Sequence, residues 1–196
     1  MPQLFEIFKL QYPNIVIQMD TGNSHEVIER ILSFKNDIGF IGIDYADKHL
    51  VKIPFIVERL VLIVPPDHEL TQKRTISFKD LNGQKMIMRE KGSGTMEIIE
   101  RELLNHKVTI EPAMELGSNE AIKQAVEAGL GISIISSNVV KLDNDQGRIK
   151  ILHFSNNRDI IRRFYIIYHK DKYLSDLLKI FFRVASDFSN RFPESL

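Results

Sequence analysis

Three short segments carry the residue types best suited to chemistry: Thr21-Gly22-Asn23-Ser24, Lys91-Gly92-Ser93-Gly94-Thr95 and Gly117-Ser118-Asn119. Each follows an apolar run and precedes an amphipathic stretch, so each reads as a strand-to-helix turn bearing small hydroxyl or amide side chains. Backbone N–H groups at a helix start, with the positive end of the helix dipole behind them, attract anions. In open α/β sheets such turns sit at the carboxyl ends of the strands, where ligands bind. One turn alone would only cap its helix. Several converging turns would hold a small anionic molecule. The glycine-rich loop lacks the G-x-x-x-x-G-K-[ST] spacing of a phosphate-cradling nucleotide loop, so nucleoside triphosphate binding is rejected.

Other chemistries find less support. The six histidines (His25, His49, His68, His106, His153, His169) are scattered, with no pair at metal-ligand helical spacing and no H-E-x-x-H, so no metal site is expected. With no cysteine there is no disulfide, no thiolate zinc site and no thiol nucleophile. A G-x-S-x-G elbow is also lacking. Carboxylates abound, but none is placed by sequence beside a plausible base, so neither catalytic residues nor a cofactor is expected. Asp143-Asn144-Asp145-Gln146-Gly147 resembles a calcium loop without its third acidic or amide position; a solvated turn is the expectation.

Composition narrows the partners. The 26 Lys and Arg balance 26 Asp and Glu over 196 residues, and phosphate neutralisation by a free nucleic-acid binder would need a surplus of cations on some face. An apolar share of 43% suffices for one domain or two small lobes. The longest apolar runs are too short to span a bilayer. The start, Met1-Pro2-Gln3-Leu4-Phe5-Glu6, shows no basic region followed by an apolar one. No membrane partner and a cytoplasmic setting are the expectation.

The elements that would position the turns follow from apolar spacing. Leu4, Phe5 and Phe8 predict a helix that stops at Tyr12-Pro13. Ile15-Val16-Ile17 reads as a buried strand, and Asn23 with Glu26 caps a helix whose buried face is Val27, Ile28, Ile31 and Leu32. Ile38–Ile43 reads as a strand covered on both faces, and Leu60–Val64 as another, ended by Pro65-Pro66. A second unit then offers a helical turn at Ser77–Asp80, a strand at Lys85–Met88, and a helix carrying Ile98, Ile99, Leu103 and Leu104 on one side. It continues with a strand at Val108–Ile110, a helix carrying Ile122, Ala125 and Val126, a left-handed Gly129, and a strand at Ile132–Ile135. Phe164–Tyr168 is a further strand and Leu174–Phe188 the last helix. Alternating strands and helices predict an α/β fold with parallel pairing.

In this order the segments resemble the effector-sensing domain of LysR-type transcriptional regulators. Met1–Phe8 with Tyr12-Pro13 is similar to that family's first helix and the motif ending it; Gly22-Asn23-Ser24 with Val27 resembles the second helix start, and Asp37–Ile41 the following strand. Glu58–Pro65 with His68-Glu69-Leu70 resembles the segment that crosses between lobes. Arg89–Thr95, Glu115–Ile122 and Ala125–Ser133 are also similar to the family pattern. The resemblance implies a type II periplasmic-binding-protein-like fold, with two Rossmann-like α/β lobes joined by two crossing strands and the ligand between them. The lobes would be residues 1–63 with 167–196, and residues 64–166. The implied ligand-facing residues are Asn23, Ser24, Gly42, Ile43, Ser93, Gly94, Thr95, Ser118 and Asn119.

The family also carries an N-terminal winged helix-turn-helix, a linker helix, and a strand before its first helix, and this chain begins after them. The resemblance therefore implies a sensory module for a small anionic metabolite, reaching DNA only through a domain absent here. It implies a homodimer, and a homotetramer in the intact regulator. Leu4, Phe5, Ile7, Phe8 and Leu10 exceed one buried stripe, which is compatible with a two-fold partner. The alternatives left open are a transporter's solute receptor, which would need a signal peptide or a lipid-anchor cysteine, and an enzyme on the same fold.

Overall fold

Proline and the lysine before it set the first boundary. In the computed structural model, which describes residues 2–155 and 160–191, helix α1 (Pro2–Gln11) ends ahead of Pro13. The Lys9 ammonium then donates to the carbonyls of Pro13 and Ile15, 2.7 Å each. Met1, residues 156–159 of the expected second lobe and residues 192–196 of the expected first lobe lie outside the described residues. The chain divides into two units, Met1–Val57 with Arg163–Leu196, and Glu58–Arg162. The divisions fall inside two long strands, β2 (Leu50–Val64) and β7 (Ile160–His169).

Unit 1 contains α1, α2 (Ser24–Leu32), β1 (Gly39–Ile41) and α6 (Asp176–Ser189). Leu4 and Phe8 of α1 are buried with Phe181, Val184, Ala185 and Phe188 of α6, and the Phe8 and Phe181 rings meet edge to face at 5.3 Å. Asn23 caps α2 as its side-chain type predicts, its Oδ1 accepting from Glu26 N at 3.1 Å. Ile28 and Ile31 turn inward onto β1, where Gly39 is required: a Cβ there would stand 2.4 Å from the Val27 side chain. β1 pairs with β7 from Gly39↔Ile167 to Ile41↔Tyr165.

The expected strand at Ile15–Ile17 does not form. Its backbone is used elsewhere, because Ile15 N donates to Tyr12 O at 3.2 Å and Ile15 O accepts Lys9. Ile15 and Ile17 still lean on the core while Val16 faces solvent. The burial expected of all three residues therefore fails at Val16, and a strand also needs a ladder partner.

Unit 2 is built around β2. Every residue from Leu60 to Val64 is buried, and the pleat sends Leu60, Leu62 and Val64 into one apolar cluster and Val61 and Ile63 into another. β2 pairs antiparallel with β5 (Ser133–Ser136) and with β6 (Lys150–Leu152). Among the described residues, only β3 (Lys85–Arg89) and β4 (Glu111–Leu116) pair in parallel as full strands. Parallel pairing was therefore over-predicted. Chain order suggested successive βαβ units, whereas β1 takes as its partner β7, which arrives from the far end of the chain.

Helices α3 (Gly94–Asn105) and α4 (Asn119–Glu127) belong to this unit, as does the short α5 (Lys141–Asp145). Ile98, Ile99 and Leu103 are buried, but Leu104 is 77% exposed, having rotated past the arc those residues define. The strand expected at Val108–Ile110 starts three residues late. Lys107 takes φ 55°, Val108 N closes the helix on Leu103 O, and the ladder begins only where Glu111 N meets Gln84 O at 2.9 Å. Asp143, expected in a solvated turn, is instead a buried residue of α5 held by Lys123 at 2.9 Å and Arg148 at 2.6 Å. Hydrogen bonding to Lys123 pulls its carboxyl below the ordinary range.

The turn at Ser77–Leu81 is stapled by Asp80, whose Oδ2 accepts both the amide and the hydroxyl of Ser77 at 2.7 Å. Lys73 pairs with the other oxygen, and these contacts, Lys73 foremost, hold the carboxyl down at about 2 against an ordinary 3.8. A depressed carboxyl contributes stability above the unfolded-state value and loses it as the pH falls through the folded one. Urea unfolding at stepped pH should show stability falling from pH 3.8 towards about 2. Asp80→Asn should be less stable at neutral pH and flatter across that window.

Candidate functional site

The loop into α3 folds as its residue types require. Gly92 takes φ 86°, open to glycine without strain, and Ser93 N closes the turn on Glu90 O at 3.0 Å. Ser93 occupies the cap position, yet its side chain makes no capping bond. Both Ser93 and Thr95 are nearly inaccessible. The bland expectation that one of them merely caps its helix therefore does not describe this turn.

Thr95 Oγ1 accepts from the Arg162 guanidinium, and the other terminal nitrogen of Arg162 pairs with Glu58 Oε1. Glu58 Oε2 in turn accepts from Ser136 Oγ at 2.9 Å and Asn138 Nδ2 at 3.4 Å. The side chains of Arg162 and Glu58 are only 11% and 8% exposed. Desolvation lowers the Arg162 guanidinium to about 10, which still leaves it charged at neutral pH. A buried cation thus stands beside the first turn of α3, where backbone amides already favour negative charge.

The turn ahead of α4 is joined to the same loop. Ser118 caps α4 conventionally, its Oγ accepting from Ala121 N at 3.1 Å. Asn119 Oδ1 accepts from Arg89 Nη1 at 3.2 Å, while Arg89 grips Glu90 through two bonds of 2.8 and 2.9 Å. Arg89 therefore brings Gly94's loop and the Ser118-Asn119 turn together. In unit 1 the residues singled out from sequence are also joined. Ser24 Oγ accepts from Gly42 N at 3.2 Å, Asn23 caps α2, and Ile43 is buried with Ile28, Ile31 and Ile41.

Sequence reasoning passed over Glu58, Arg89, Ser136, Asn138 and Arg162. Strand parity held the missing signal. Glu58 has the same parity as the buried Leu60 and Leu62, and Arg162 that of buried Ile160, so each charge is placed on an inward face.

The LysR substrate-binding domain family matches residues 1–189. The chain belongs to that family. It is 34% identical over 181 residues to the uncharacterised HTH-type transcriptional regulator YeiE of Escherichia coli K12, covering 92% of this chain and 61% of that protein. It is 35% identical over 180 residues to the HTH-type transcriptional activator CmpR of Synechocystis, covering 92% and 59%. The chain thus spans about three-fifths of the length of these curated relatives. The structure of the Synechocystis CcmR regulatory domain in complex with 2-PG superposes with a TM-score of 0.87 at 31% identity, covering 96% of this chain and 90% of that one. This LysR domain accordingly has the type II periplasmic-binding-protein-like fold and is an effector-sensing regulatory domain. Among the described residues no helix is long and apolar enough to cross a membrane.

Removing one partner of a buried ion pair strands the other charge, at a cost of about 3–5 kcal/mol. Glu58→Gln and Arg162→Met should each lower unfolding stability by about that range in urea titrations. The double variant should recover much of the loss. If the double variant costs as much as the two singles added together, the two groups are not coupled.

Proposed function

We propose that the domain senses a small anion and that unit 2 holds its negative group at the start of α3. The carrying observation is the buried Arg162 guanidinium on Thr95, beside Ser93 and Gly94 in a loop joined through Arg89 to Asn119 and the Ser118 cap. Amides and hydroxyls at a helix start supply hydrogen bonds and a positive dipole end that favour an acid over its neutral analogue, and Arg162, compensated by Glu58, holds Thr95 in place there. In unit 1 we assign the same use to the turn ahead of α2, with Asn23 and Ser24 beside Gly42 and Ile43. The 2-PG in the CcmR complex belongs to that protein, and it supports a small ligand for the class of fold.

The domain works on this reading as a binding module without catalytic residues or cofactor, in the cytoplasm. A homodimer follows from the surplus apolar positions of α1, where Leu10 remains 78% exposed. A homotetramer and contact with DNA belong to the intact regulator, through a helix-turn-helix outside this chain. The effector shifts the regulator between arrangements only by binding them with different affinity, typically about 1–3 kcal/mol apart.

Calorimetric screening of phosphate- and carboxylate-bearing metabolites against uncharged analogues tests the reading. Acids should bind and stabilise the fold while the neutral analogues do not. Ser93→Ala should weaken binding about tenfold or more, as expected for a hydrogen bond to a charged group. Ser24→Ala reads the share of unit 1 separately. Equal binding of neutral analogues, or an unchanged affinity in Ser93→Ala, would overturn the siting.

A further inference from the structure

Unit 1 carries a second cluster of chemically capable groups, unconnected with the effector reading. His49 lies in the turn before β2, His169 ends β7, and Asp171 follows two residues on. The backbone pins these segments to each other, because Lys170 N donates to His49 O at 2.8 Å. One donor atom from each of the three side chains lies within 4.8 Å of the other two. We propose that His49, His169 and Asp171 form a site for a single divalent transition-metal ion of borderline softness, Zn²⁺ being the type.

The donor set suits such an ion, since two imidazoles and one carboxylate leave room for water in the remaining position. His169 Nδ1 and Asp171 Oδ2 are 3.9 Å apart, whereas two bonds of about 2.0–2.1 Å at a tetrahedral angle span about 3.3–3.4 Å, so a modest inward movement of the carboxylate completes the site. His169 Nδ1 already presents a lone pair, since it accepts the Asp171 amide at 3.2 Å, and a metal would take the place of that hydrogen. Asp171 is two-thirds exposed, so its carboxylate is free to swing in.

The surroundings hold the imidazoles for this use. The His49 and His169 rings lie 5.8 Å apart with planes only 13° from parallel. Phe34 packs against the buried His169 ring at 4.1 Å, and does so from φ 55°, a backbone conformation that non-glycine residues seldom take. His49 N is fixed by Asp47 Oδ1 at 2.7 Å. Of the ammoniums nearest in sequence, those of Lys48, Lys170 and Lys172, the last is engaged by Asp37 at 2.5 Å. The Phe34 contact and the ring-on-ring packing are what restrain the imidazoles before an ion arrives.

The test is Zn²⁺ titration of the untagged chain, followed by calorimetry and by imidazole ¹H–¹⁵N spectra. One ion per chain should bind, and the resonances of His49 and His169 should shift while those of His25, His68, His106 and His153 stay. His49→Gln and Asp171→Asn should each weaken binding at least about tenfold, with unchanged far-ultraviolet circular dichroism. Binding that persists in both variants, shifts confined to the other histidines, or an adventitious ion only, without saturation, would each overturn the site.

Discussion

A guanidinium taken out of water must find its counter-charge and hydrogen bonds inside the protein. In unit 2 that requirement ties together elements remote in the chain. Arg162 comes from β7, Glu58 from β2 and Thr95 from α3, with Ser136 and Asn138 completing the carboxylate's contacts. Each strand must arrive with the right parity, or the charge would point to solvent. The first turn of α3 must likewise stand where its threonine can accept. The position of the loop before α3 is therefore a consequence of how a cation is neutralised, as much as of how Ile98 and Ile99 pack.

Such a pair is a poor device for stability alone, since desolvation offsets most of the Coulombic attraction and well-packed apolar side chains often do as well. The neighbours of Arg162 and Glu58 make that contrast concrete. Leu60, Leu62, Ile134 and Ile160 share one apolar cluster, and hydrophobic residues at the two charged positions would extend it. The charges stand there instead, with Arg162 on Thr95 in the first turn of α3. The anion site proposed for unit 2 gives them a use that stability alone does not.

Local signals were legible wherever one side chain settles a backbone problem within a few residues. Asn23 and Ser118 cap their helices as their types predict, Gly129 adopts φ 75° after α4, and Pro13 follows the end of α1. Long-range pairing was not legible. The β1 strand looked like one member of a parallel series because a helix precedes it and strands and helices alternate beyond, yet β7 is its antiparallel partner. The same limit applied to the two proposed sites. Ser93 and Thr95 could be found from their turn, but Glu58 and Arg162, or His49 and His169, meet only through tertiary structure.

Strand alternation explains why the errors fell where they did. Ile15–Ile17 and Leu60–Val64 both show apolar residues in strand-like spacing, and the second succeeds because β5 and β6 meet its backbone on both edges. The first has its hydrogen-bonding groups taken by Tyr12 and Lys9. Side chains there alternate, Ile15 and Ile17 leaning on the core and Val16 facing solvent, where the apolar run predicted burial of all three. Whether the backbone becomes a strand depends on donors and acceptors from elsewhere in the chain. Glu58 and Arg162 follow the same rule, since strand parity turns each inward and a partner distant in sequence makes the inward charge tolerable.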